Sequence, residues 1–425
     1  MKFFKQLSIY TLVGVINAGI SFFIMPVLTH HLTPKDYGLL SLFNTYITIL
    51  IPIVSVSAYS LLSIDYYKRK DSLSFAVEFT SIQTIPVFNT ALLAVLVWSF
   101  YRGFVDDLEL GGTGIKWGYF VLAITLFAIY YEQLLQVLIV QKKVIVFAIF
   151  SLSKVALEVA LTFYFVLGRG WNWEGRMYSW LIVSALFFII ALVYFNKQGF
   201  LKGEIRFHYI FEGMRFGGPL VLHGIGKFVV NQSDRLFIVK MVSLEQAGIY
   251  NVGYTVGSLV LIAVTAFVNF FSPYLMERLS DKTERGRLQI VKISYYYIIG
   301  SLILLVCILI FNPLFFRFFI APRYYDGIKY VFWVALGYCF WGGYILFAGY
   351  IFFLKRSKIL GWLAIFNVIT NLLFNYFFIR QFGPIGAAYA TALSFFLTMV
   401  IISFIAQKLF PMPWNSFRKL KAVGL

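Results

Sequence analysis

The sequence predicts an all-α polytopic membrane protein of about 12 transmembrane helices in two six-helix bundles. Three observations carry this. The chain of 425 residues is 60% hydrophobic and 13% charged, where soluble domains carry about 25% charge, so water could not hold this much apolar surface. The apolar stretches are about 20 residues long, which suits helices spanning a core of about 30 Å and not barrel strands of about 10 alternating residues. The third is a repeat. "LTPKDYGLLSLFNTY" at 32–46 is echoed by "VSLEQAGIYNVGYTV" at 242–256, with Gly38 on Gly248 at an offset of 210.

Twelve segments qualify as spans: 8–28, 39–64, 79–101, 116–140, 144–168, 177–196, 216–240, 247–275, 292–312, 328–353, 358–379 and 385–407. The first is too long for a signal-peptide core and no small-residue cleavage site follows, so it reads as a retained helix. The connection from Lys197 to about Arg215 divides the chain into an N-terminal bundle, 1–205, and a C-terminal bundle, 206–425. No soluble domain is expected.

Further matches support duplication. "EGRMYS" at 174–179 aligns with "IGAAYA" at 385–390 at an offset of 211, Gly175 on Gly386 and Tyr178 on Tyr389. Just upstream, "LTFYFV" at 161–166 resembles "FNYFFI" at 374–379. An even number of helices per repeat makes the repeats parallel, and transporters commonly bind substrate where such repeats meet.

Lys and Arg orient the chain. With both termini cytoplasmic, inside segments hold 23 of the 36 cations, including "KRK" at 68–70 and "KRSK" at 355–358. Outside segments hold 10 and helices 3, while the acidic "DDLE" at 106–109 falls outside. The net charge of +18 reflects this asymmetry and contact with anionic membrane lipids, not nucleic acid. Cys307 and Cys339 lie in apolar runs and build no disulfide framework; the four histidines have no metal-ligand spacing. No cofactor or metal is expected.

Charge inside a membrane costs at least about 2.5–3.5 kcal/mol on insertion scales and usually faces a cavity. The seventh segment is richest. His223, Lys227, Asn231, Asp234 and Arg235 share one arc of a helix that Gly217, Gly218 and Pro219 are expected to loosen near its start. Lys154 and Glu158 lie one turn apart in the fifth segment, with Ser151 and Thr162 on their face, and Glu132 and Gln136 lie together in the fourth. Candidate substrate-binding cations are Lys227, Arg235, Lys154 and His223; candidate ion-coupling carboxylates are Asp234, Glu158 and Glu132. Each has a structural alternative. Asp234 and Arg235 can pair with each other near the outer end, where Arg can snorkel, and Lys154 and Glu158 can neutralise each other. Asn and Ser stripes, such as Asn367, Thr370, Asn371 and Asn375, are commonly contacts between helices. A cleft holding cations at mid-depth suits an anionic head group such as phosphate.

The residues also carry a family resemblance. "FFIMPVLTHHLTPKDYG", "NQSDRLFIVKMVSLEQAGIYNVGYTVGSL", "YIFFLKRSK" and "GPIGAAYATALS" resemble, in order along the chain, segments of Wzx-type polysaccharide (O-antigen) flippases. Their superfamily, the multidrug/oligosaccharidyl-lipid/polysaccharide exporters, also includes multidrug-and-toxin extrusion (MATE) transporters and lipid II flippases. The resemblance implies a V-shaped MATE-like fold in the bacterial cytoplasmic membrane. It implies translocation of undecaprenyl-pyrophosphate-linked oligosaccharide repeat units for surface polysaccharide, including lipopolysaccharide, by alternating access coupled to protons or sodium ions. A polysaccharide polymerase complex is an implied partner. Asp234-Arg235 matches a recurrent pair of the family. Family members diverge strongly inside the cavity, so no catalytic residue is carried over, and moving a lipid needs no covalent chemistry. The alternatives are a MATE-like drug or organic-cation antiporter, which would want a net negative cavity, and a membrane polysaccharide polymerase. The polymerase would want a large external loop, and the longest here, near 102–115 and 313–327, have about 15 residues.

Overall fold

The computed structural model describes residues 2–68, 72–99, 115–281 and 283–415. In chain order its helices are α1 (Lys2–His31), α2 (Pro34–Ser55), α3 (Tyr59–Lys68), α4 (Ser72–Ser99), α5 (Ile115–Val140), α6 (Val144–Phe163), α7 (Asn172–Lys197), α8 (Phe207–Met241), α9 (Leu244–Gly257), α10 (Val260–Ser280), α11 (Glu284–Phe319), α12 (Ile328–Phe353), α13 (Ser357–Phe382) and α14 (Ile385–Leu409). A π-turn, Tyr164–Gly168, extends α6, and a 3-10 turn, Pro322–Gly327, precedes α12. The chain is an all-α polytopic membrane protein. Eleven spans among the described residues are long and apolar enough to cross a bilayer. The seventh, α8, is not among them: it forms as a helix of 35 residues, but its polar stripe lowers its hydropathy. "DDLE", the connection near 102–114, most of "KRK" and the C-terminal basic residues lie outside the described residues.

Two compact units result, the first ending at Phe228 and the second beginning at Val229. This division falls within α8, not in the connection before it. Those connecting residues are themselves anchored in the first unit: Thr80 Oγ1 donates to Phe200 O at 3.0 Å and Arg206 N to Ser81 Oγ at 2.9 Å.

The echoed segments are helix starts. Thr33 caps α2: its hydroxyl accepts from Asp36 N at 3.2 Å, Asp36 Oδ2 accepts from Thr33 N at 3.0 Å, and Pro34 occupies the first turn. Ser243 caps α9 by accepting from Gln246 N at 3.1 Å. Each cap satisfies amides that the helix leaves open, worth about 1 kcal/mol. The helices also pack in matching order. In the first unit α2, α4 and α7 pack on α5 and α6 packs on α7; in the second α9, α11 and α14 pack on α12 and α13 packs on α14.

Three expected boundaries are corrected. The span 39–64 is broken at Val56 and Ser57, whose φ values of 49° and 51° are left-handed. There α8 comes so close that a Cβ on Gly217 would lie 2.0 Å from Val56 O. Gly217 is thus a contact point, and α8 runs unbroken through Gly217–Pro219 instead of loosening there. The span 247–275 is broken at Ser258 in ordinary right-handed geometry. The ninth span is longer than 292–312: Thr283 caps α11, which takes in all of "ERGRLQ" at 284–289 and runs past Pro313 to Phe319. Hydropathy marks the apolar part of a helix, not its hydrogen-bonded length.

Candidate functional site

In the first unit, α6 and α7 are joined by three charged side chains. Glu158 Oε1 accepts from Arg176 Nη2 at 2.8 Å and from Trp180 Nε1 at 2.7 Å. Glu158 Oε2 accepts from Lys154 Nζ at the longer distance of 3.3 Å. Arg176 Nη1 donates to Thr162 Oγ1 at 2.6 Å, and its guanidinium lies 5.0 Å from the Trp180 ring centroid. The Lys154 ammonium lies 5.1 Å from the Tyr131 ring centroid, on α5. Below it Asn17 Nδ2 donates to Ser151 Oγ at 2.7 Å, tying α1 to α6.

The chain of charge continues. Lys154 and Lys227 both act electrostatically on Glu132, whose Oε2 has the Tyr59 hydroxyl at 3.5 Å. Lys227, Glu132, Lys154, Glu158 and Arg176 thus alternate in sign from α8 across α5 and α6 to α7, and at the α6–α7 joint two cations share one carboxylate. Lys154, Glu158 and Arg176 keep 18%, 16% and 12% of their side-chain surface accessible, so none of them is fully enclosed. His223 and Lys227 are exposed on α8. Gln133 and Gln136 line a recess with Tyr59, Ser63 and Tyr66 of α3.

The Asp234–Arg235 pair has a different setting in the second unit. Arg235 Nη1 donates to Asp234 Oδ1 at 2.8 Å and to Asn231 O at 2.9 Å, and Nε donates to Asn251 Oδ1 at 3.1 Å. Tyr250 donates its hydroxyl to Asp234 Oδ2 at 2.5 Å. The guanidinium lies 4.1 Å from the Tyr254 ring centroid, and Tyr254 and Tyr338 share a hydroxyl contact of 2.6 Å. Only 5% of the Arg235 side chain and 3% of Asp234 are accessible. Arg235 does not snorkel. It is sealed among α8, α9 and α12.

Sequence reasoning missed Arg176, which it placed in an outer connection. The available signal was "EGRMYSW": once the helix starts at Asn172, Arg176 and Trp180 lie one turn apart on one face.

Over residues 3–279, most of its length, the chain matches the family described as polysaccharide biosynthesis protein. It belongs to that family. Among relatives, Lsg locus putative protein 1 of Haemophilus influenzae is 28% identical over 294 residues, covering 66% of this chain and 68% of its own. A protein of the same organism described as an uncharacterized membrane protein is 21% identical over 392 residues, covering 88% and 89%. Among solved structures, the lipid II flippase MurJ in an inward closed conformation superposes with a TM-score of 0.73 at 14% identity, over 97% of this chain and 90% of that one. An inward-facing multidrug resistance MATE family transporter of the MOP superfamily gives 0.71 at 13% identity, over 96% of each. This polysaccharide biosynthesis protein therefore has the MurJ and MATE transporter fold.

Proposed function

We propose that this protein is a flippase. It carries an undecaprenyl-pyrophosphate-linked oligosaccharide repeat unit across the bacterial cytoplasmic membrane, both termini being cytoplasmic, for surface polysaccharide synthesis. The observation that carries the reading is the partly exposed pair of cations, Lys154 and Arg176, that share the one carboxylate of Glu158 in the first unit. Dragging a pyrophosphate and several sugars through hydrocarbon is prohibitive, and Lys or Arg in a low-dielectric setting binds phosphate oxygens strongly. Membership in a polysaccharide biosynthesis family and a fold shared with a lipid II flippase support the lipid-linked substrate. In this reading Lys154 and Lys227 engage the head group, His223 borders their path, and Glu132 and Glu158 are the carboxylates through which a proton or sodium gradient is coupled. Asp234 and Arg235 hold the second unit together. No bond is made or broken in the substrate, so no nucleophile is required.

The test is flipping of a fluorescent pyrophosphate-linked oligosaccharide lipid in proteoliposomes, wild type against Lys227→Ala at matched insertion. Flipping by the wild type and at least a tenfold slower rate in the variant are expected. Equal rates would remove Lys227 from the substrate path. No flipping by the wild type, with efflux of organic cations in its place, would overturn the reading in favour of an antiporter.

A further inference from the structure

We propose that Arg176 is a positioning residue that takes a share of the Glu158 carboxylate and so leaves the Lys154 ammonium only partly neutralised and able to engage the anionic head group. This rests on the flippase reading and assigns a role within the same site. The geometry is unequal. One Glu158 oxygen is saturated by Arg176 and Trp180 at 2.8 and 2.7 Å, while the other meets Lys154 at 3.3 Å. Arg176 is itself fixed by Thr162 at 2.6 Å and stacked on Trp180. The closer partners of the carboxylate are therefore the guanidinium and the indole, one hydrogen bond each to the same oxygen, while the ammonium sits farther off on the other oxygen, so two cations share one negative charge.

The second unit shows that these charges are not needed to join the helices. Helix α13 begins at Ser357 as α6 begins at Val144, an offset of 213 that places Asn367, Asn371 and Asn375 at the positions of Lys154, Glu158 and Thr162. There the joint to the next helix is made by neutral groups. Asn371 Nδ2 donates to Ser394 Oγ at 3.3 Å and Asn375 Nδ2 donates to Asn371 Oδ1 at 3.0 Å. At the offset of 211 that pairs Gly175 with Gly386, Arg176 corresponds to Ala387. The same joint closes with amides and a hydroxyl where no cation is present. Two cations and one carboxylate, each costly to bury, therefore mark a binding task in the first unit.

The experiment uses the full-length protein with two readouts, binding of inorganic pyrophosphate in detergent by calorimetry and flipping of the lipid-linked oligosaccharide. Arg176→Gln leaves the Glu158 carboxylate to Lys154 alone, and both readouts should weaken at least tenfold. Adding Glu158→Gln to Arg176→Gln restores one uncompensated ammonium and should bring pyrophosphate binding back to within about threefold of wild type. Glu158→Gln alone should bind at least as tightly as wild type. Transplanting the neutral joint, Lys154→Asn with Glu158→Asn and Arg176→Ala, should preserve insertion and thermal midpoint while abolishing binding. Wild-type affinity in Arg176→Gln, no rescue in a double variant of normal thermal midpoint, or no pyrophosphate binding by the wild type would each overturn the proposal. Failure of wild-type flipping with the binding pattern intact would overturn the flippase reading and leave the role of Arg176 standing.

Discussion

The two units spend charge at opposite joints. In the first, the α6–α7 joint is charged, while the equivalent α13–α14 joint in the second is built from Asn371, Asn375 and Ser394. The reverse holds at the start of each repeat. Helices α1 and α8 end at His31 and Met241, the offset of 210 again, so Asp234 and Arg235 stand where α1 has the buried Ile24 and Met25. Accessibility separates the two charged joints. The α6–α7 charges are partly open and unbalanced, whereas Asp234 and Arg235 balance each other and are enclosed by Tyr250, Tyr254 and Asn251. A buried, balanced and hydrogen-bonded pair can hold helices in register; a partly open, unbalanced charge is available to a ligand.

The largest expected effect breaks the enclosed joint. Arg235→Gln leaves the Asp234 carboxylate buried without its cation, a loss of about 3–5 kcal/mol. It should appear as a large drop in the thermal midpoint in detergent, with flipping per folded molecule retained. A wild-type midpoint would show that Asp234 and Arg235 do not hold the second unit together.

A smaller effect tests the matched helix starts. A Cβ on Gly386 would lie 2.2 Å from the Phe378 carbonyl carbon, while one on Gly175 would lie 3.0 Å from Phe165 Cβ, the equivalent residue at the offset of 213. Overpacking of this kind costs about 1–3 kcal/mol. Gly386→Ala should therefore lower the midpoint more than Gly175→Ala, and the opposite order would contradict the closer fit of α14 on α13. Within α8, Gly217→Ala should destabilise against Val56 O, whereas Gly218→Ala has open space and should be neutral or slightly stabilising through helix propensity.

The smallest effect concerns the neutral joint. Asn371→Ala removes one hydrogen bond between membrane helices, which averages about 0.6 kcal/mol. Its midpoint should shift by a degree or two, and transport should not change. A loss of flipping there would erase the functional contrast between the two joints.

The sequence by itself determined the class of protein, the approximate place of most spans and the polar stripes, because each depends on local composition or on spacing along one helix. Hydropathy over about 20 residues reports the bilayer, and a cap such as Thr33–Asp36 is complete within four residues. The candidate site was legible in part for the same reason: Lys154 and Glu158 are one turn apart. Arg176 and Trp180 were not legible, since they reach Glu158 from another helix, 18 and 22 residues away. Periodicity could not show that Arg235 would be enclosed, because Tyr338 closes on Tyr254 across 84 residues. Nor could it show the break at Val56 and Ser57, where α8 comes up against the turn through Gly217. Tertiary structure alone decided which charges are compensated and which remain reachable, because compensation and burial depend on what neighbouring helices bring to each side chain.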